Sequence, residues 1–265
     1  MSRQRVPEGP APDPAVQKLR IRYAKRGRLR FSSTRDFQRA LERALRRAGV
    51  PMAFSAGFHP HPKISYANAA PTGTASEAEY VEISVTSRVD PEAVRVALDE
   101  ALPTGLDLLE VVEAAPGALA DRLLASDWVI AFTGVPAQAL QEVAGTFLAQ
   151  DRVEVSRTFK TGPRTFDVRE AVVSLTVADP EELRVLRDTV PDAVPAVGAD
   201  CAILRLVVRH TTPAVRPDDI LTALRAVATL EPPRPPLVTR LAQGPLDASA
   251  RVTDPLAADE KVGDS

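Results

Sequence analysis

Two histidines one residue apart, His59 and His61, lie in the run FSAGFHPHPKISYA. Each is followed by a proline, and Lys63 closes the run. In an extended segment, residues i and i+2 project to one side, so both imidazoles can approach the same partner. A protein-bound zinc needs three or four ligands. Neither His-x3-His nor Cys-x2-Cys spacing accompanies this pair, so the sequence implies no metal site and no cofactor. Histidine also moves protons near neutrality. His61 as acid or base, with Lys63 on a phosphate, would suit attack by an RNA 2′-hydroxyl. The plainer reading is a stiff loop. Proline fixes φ and removes an N–H, so Pro60 and Pro62 hold a rigid turn that offers its polar groups to an anion.

Charge favours an anionic partner. The chain has a net charge of −2. From Lys18 to Lys63 it nevertheless carries 13 Lys and Arg against Asp36 and Glu42, a net of +11, so the rest stands near −13. Such asymmetry marks a local basic surface. The candidate nucleic-acid contacts are Arg28, Arg30, Arg35, Arg39, Arg43, Arg46 and Arg47, with His59, His61 and Lys63. Guanidinium forks match phosphate oxygens, and phosphate neutralisation makes binding salt-dependent. Phe58 and Tyr66 flank the loop and either stack on bases or belong to the core. The rival partner is an acidic protein surface.

These residues need elements to hold them. KLRIRYAKRGRLRFSS alternates apolar and basic residues as a half-buried strand does, with a turn or bulge at Lys25 to Arg28 before Leu29 and Phe31 resume. STRDFQRALERALRRAGVP is a helix. Ser33 or Thr34 caps it, and Gly49 and Pro51 end it. Its apolar side is Phe37, Leu41, Ala44, Leu45 and Ala48, with arginines opposite. An extended FHPHPKISYANAAP, a strand EYVEISVTS, a helix opened by Asp90 and Pro91, and a strand DLLEVVEA follow. The order is β-α-β-β-α-β. A looser copy runs from DWVIAFTG to PLVTRLAQ, with DPEELRVLRDTV inserted. The predicted fold class is α+β, two tandem ferredoxin-like units with antiparallel sheets. The predicted bounds are a disordered tail 1–17, a unit 18–115, a linker 116–126, a looser unit 127–245 and a disordered tail 246–265.

Several classes are excluded. No run of 18 apolar residues exists, and the first residues lack an apolar signal core, so a cytoplasmic protein without membrane association is expected. Cys201 is the sole cysteine; no internal disulfide can form, and a buried, inert thiol is expected. No phosphate-binding glycine loop, dinucleotide fingerprint or nucleophile elbow occurs.

The run LRFSSTRDFQRALERALRRAGVPMAFSAGFHPHPKISYANAAPTG resembles the radical-SAM-associated family of unknown function. FKTGPRTFDVREAV and LVTRLAQG resemble it more weakly, and the likeness spans about Lys18 to Gly244. That family's helix start reads Phe-Leu-Ser-His-x-Asp and its loop Gly-Phe-Asn-Pro-His-Pro-Lys. Phe31, Ser33, Asp36, Gly57, Phe58, Pro60, His61, Pro62 and Lys63 match. Thr34 stands where histidine is frequent, and His59 stands in place of asparagine. Family members occur fused to, or encoded beside, radical-SAM proteins, and some lie near ribonuclease E/G. The resemblance implies an accessory of unknown activity to such a partner, and the basic surface adds the expectation that it binds RNA (tRNA or rRNA). One cysteine cannot hold the iron–sulfur cluster, so the chain is not itself a radical-SAM enzyme. Two alternatives come from other classes: a metal-independent endoribonuclease of CRISPR repeat-processing type, with His61 and Lys63 as catalytic residues, or a protein–protein adaptor.

Overall fold

Alternation and capping account for most of the elements in the computed structural model. It describes residues 12–190, 193–194, 201–228 and 230–259. The expected tail at 1–17 lies mostly outside these residues. Gln17, however, already belongs to a strand and is buried. Two compact units divide the chain. The first comprises residues up to Thr72, Glu79–Ala120 and those from Leu256 onward. The second comprises Gly73–Ala78 and Asp121–Pro255. The protein is mixed α+β with mostly antiparallel sheets.

In the first unit the elements are β1 (Gln17–Lys25), α1 (Thr34–Arg47), β2 (Ile64–Ala67), β3 (Ala75–Val85), α2 (Pro91–Ala101) and β4 (Leu108–Glu113). The strand order is β4-β1-β3-β2. β4 runs antiparallel to β1, and β2 antiparallel to β3. Leu19, Ile21 and Tyr23 of β1, Val81, Ile83 and Val85 of β3, and Ile64 and Tyr66 of β2 point to one face. There they meet Phe37, Leu41, Ala44 and Leu45 of α1 and Val94 and Leu98 of α2. Both helices therefore cover the same face of the sheet. Lys18, Arg20, Ser65, Glu82 and Ser84 alternate with these residues and belong to the opposite face.

The turn after β1 departs from expectation. Leu29 and Phe31 do not continue a strand. Gly27 takes a φ of +53, and Gly27–Phe31 coil into a short 3-10 helix. A positive φ suits glycine, and it breaks the extended run. Phe31 is exposed, while Arg30 is buried.

The second unit holds β5 (Ala125–Thr133), α3 (Ala137–Leu148), β6 (Glu154–Phe159), β7 (Gly162–Asp167) and β8 (Val172–Val177). It continues with α4 (Pro180–Thr189), β9 (Cys201–Arg209), α5 (Pro217–Ala228) and β10 (Leu237–Gly244). Its main sheet runs β10-β5-β9-β8, all antiparallel. Ala75 and Ser76, at the start of β3, add to it in parallel with Thr239 and Arg240. Trp128, Ile130 and Phe132 face α3 and α5, while Val129, Ala131 and Ile203 face Leu186 of α4. Burial on both faces explains why β5 and β9 read as continuous apolar runs. The stretch RTFDVREAVVSLTVA holds two strands. β7 pairs with β6 as a separate hairpin, and β8 joins the main sheet.

Residues 246–259, expected as a flexible tail, carry defined structure. Leu246 bridges Val252, and Leu256 and Asp259 are buried.

Candidate nucleic-acid interface

The start of α1 explains two motif residues structurally. The Ser33 hydroxyl accepts from the Asp36 N–H at 3.2 Å, and the Asp36 carboxylate accepts from the Ser33 N–H at 3.1 Å. This is a capping box. The Ser33 hydroxyl also donates to Asp36 at 2.7 Å, and these bonds hold the Asp36 carboxyl below the usual range. Ser33 and Asp36 therefore fix where the arginine-bearing helix begins. Gly49, at a φ of +67, lies just beyond its end.

Along α1 the apolar side faces the sheet. Arg35, Arg39, Arg43, Arg46 and Arg47 lie on the other side, and all are exposed. Arg46 donates to the Glu42 carbonyl. Among the described residues none of the five has a carboxylate within ion-pair distance, although Arg39 and Arg35 both act on the Asp36 carboxylate from further away. Arg22, Arg26, Arg95, Arg184 and Arg205 are all ion-paired. Arg28 is exposed on the 3-10 turn that precedes the helix. Arg30 is different, because it is buried and cannot present a fork to solvent.

The His-Pro loop is a closed excursion at the β2 edge. The Ser55 N–H donates to the His61 carbonyl at 2.8 Å, and the His61 N–H donates to the Ser55 hydroxyl at 3.0 Å. The Lys63 N–H donates to the Ala53 carbonyl at 2.8 Å, and Phe54 bridges Pro62. The tip is exposed from Ala56 to His61, with Gly57 at a φ of +129 and Phe58 60% exposed. Neither imidazole has an orienting hydrogen bond among the described residues. Tyr66 is the aromatic that turns inward. It packs edge-on against Phe37, and burial pushes its hydroxyl up to about 12.

The basic residues fall into two groups. Ile64 and Tyr66 face the helices, so Ser65 and the neighbouring Lys63 belong with the opposite face of the sheet. There Lys18, Ser55, His61, Lys63, Ser65, Glu82 and Ser84 line an open depression of about 300 Å³. The arginine row points away from the sheet on the other side. Ser55, Ser65 and Ser84 were not singled out by sequence. Their strands alternate correctly, but the pairing of Ser65 with Glu82 is a register fact. Another group was also missed. On the β6–β7 hairpin the Arg157 guanidinium sits 4.6 Å from the Phe159 ring and 5.1 Å from the Phe166 ring. No set of three or more His, Cys, Asp or Glu that would hold a metal occurs among the described residues. No helix there is long and apolar enough to cross a membrane. Cys201 is half-buried, and burial pushes its thiol up.

An α+β chain with an unpaired arginine face and a stiff basic loop is the class this geometry defines. Residues 18–217 match the family described as uncharacterized protein conserved in bacteria (DUF2344), and the chain belongs to that family. No curated protein matches it.

Proposed function

We propose that the protein is an RNA-binding accessory whose main contact is the exposed face of α1. The carrying observation is the row Arg35, Arg39, Arg43, Arg46 and Arg47, with no ion pair among the described residues, on a helix anchored by its capping box. Arginines spaced along one helix face present forks that match phosphate oxygens. Phe58 at the loop tip supplies a platform on which an unpaired base can stack.

The strand orders β4-β1-β3-β2 and β10-β5-β9-β8 support two ferredoxin-like units. In the second, the β6–β7 hairpin and α4 are insertions. Folds of this class bind RNA in other proteins, which is analogy and raises the weight of the reading without carrying it. The loop and helix-start motifs support a radical-SAM protein or ribonuclease E/G as the partner. With one cysteine in the chain, an iron–sulfur cluster would belong to that partner.

The test is a filter-binding titration of the full chain with tRNA and with rRNA fragments at low salt. Binding that weakens steeply with salt is expected. No binding to any of these RNAs overturns the reading. A complex with the partner protein that persists at high salt without RNA favours the adaptor instead.

A further inference from the structure

We infer that the depression on the sheet face of the first unit opposite the helices is a second anion site, separate from the arginine row, and that it takes a phosphate monoester. Lys18, His61 and Lys63 line it together with the hydroxyls of Ser55, Ser65 and Ser84. Lysines are compact point charges, and hydroxyl donors spread over three strands or loops suit a tetrahedral dianion better than a planar carboxylate.

The carboxylate on the same lining, Glu82, does not oppose such a ligand. Its Oε1 is held by Lys18 Nζ at 3.0 Å and its Oε2 by Arg20 Nε at 3.0 Å. The Arg20 guanidinium is also matched by Asp259 at 2.7 Å. The Lys63 ammonium is exposed and has no carboxylate partner among the described residues. The cluster therefore keeps an unbalanced positive charge at Lys63. The backbone around Lys63 is fixed: its N–H bonds the Ala53 carbonyl, and its carbonyl accepts from the Ser84 N–H at 3.1 Å. The Ser55 N–H to His61 carbonyl bond and the His61 N–H to Ser55 hydroxyl bond likewise close the loop that forms one wall.

The site stands apart from the RNA reading above, because it is built by other residues on another layer. Its ligand is a terminal phosphate, carried either by an RNA end or by a free nucleotide. The full chain is titrated with inorganic phosphate, with AMP, and with one short RNA bearing either a 5′-phosphate or a 5′-hydroxyl. The phosphorylated RNA is expected to bind about tenfold more tightly, as one charge-assisted contact set provides. Lys63→Ala should remove that preference, so that the variant no longer distinguishes the two RNAs. Lys63-dependent uptake of AMP or phosphate identifies a free nucleotide as a ligand, whereas preference limited to the RNA identifies its end; both support the site. Equal affinity for the two RNAs, with no uptake of phosphate or AMP, overturns it and leaves the arginine reading intact. Failure of that other reading looks different: AMP binds, and neither RNA does.

Discussion

The Asp259 carboxylate grips Arg20 with both oxygens, at 2.7 and 3.0 Å from one guanidinium nitrogen, across 239 residues of chain. Both side chains have zero exposure. Asp259 also accepts from the Ala115 N–H at 2.7 Å, and Arg20 donates to the Gly117 carbonyl. This buried network ties the C-terminal segment to β1. Leaving one charge of a buried pair without its partner costs about 3–5 kcal/mol. Arg20 keeps Glu82 at 3.0 Å, so Asp259→Ala should lower the unfolding free energy of the first unit by somewhat less than that, read as a fall in the urea midpoint. Replacing both residues by apolar ones of similar size should recover much of the loss. An unchanged midpoint in the single variant would show that the network holds nothing.

The arginines of α1 should count additively in RNA binding. Each phosphate contact removed lowers the slope of log K against log salt by about 0.7 for single-stranded RNA. Arg39→Gln and Arg43→Gln should each reduce the slope by that amount. Arg184→Gln, whose arginine is already engaged by Glu181 at 2.6 Å, should leave it unchanged. Equal effects of all three would mean that only net charge matters.

How far the sequence reaches can be seen residue by residue. Ser33, Gly49, Asp90 and Pro91 are local signals: α1 begins and ends, and α2 begins, where those residues say. Alternation in β1 correctly separates Leu19, Ile21 and Tyr23 from Arg20. It cannot tell that the second face at Arg20 is covered, because the cover is Gly117 and Asp259, brought there by the fold. Arg30 misleads for another reason. RGRLRF alternates like a strand, but the positive φ of Gly27 coils it. The candidate site was half legible. His61 and Lys63 stand out by type, whereas Ser65 and Ser84 join them only through the β2–β3 register.

Gly244 should tolerate no side chain. A methyl group there would fall on the Thr253 carbonyl oxygen and lie 3.1 Å from Pro255 Cδ. The Thr253 N–H donates to the Pro245 carbonyl at 2.8 Å, so the obstructing backbone is itself pinned. Overpacking of this kind costs about 1–3 kcal/mol. Gly244→Ala should lower the thermal midpoint measurably, while Gly145→Ala on α3, where a methyl meets nothing within 4 Å, should leave it unchanged or raise it. A harmless Gly244→Ala would show that the 245–255 turn moves easily.

His210 should make the second unit acid-sensitive. Its Nε2 lies 2.8 Å from the Ser126 hydroxyl and its Nδ1 lies 2.6 Å from the Leu123 carbonyl. Nδ1 donates to that carbonyl, so Nε2 accepts from Ser126. Burial lowers the histidine below its ordinary 6.5, the Leu123 carbonyl partly opposes this, and Arg240 adds to the lowering. The unfolded chain thus takes up a proton near pH 6.5 that the folded chain still refuses. Stability from the neutral ring is complete above that pH and is lost as pH falls through and below it. The thermal midpoint of the full chain should drop between pH 7.5 and pH 5.5. His210→Gln should lower the midpoint at both values, since it disturbs the two hydrogen bonds, yet show a smaller difference between them. An identical pH difference in the variant would assign the acid sensitivity to another group.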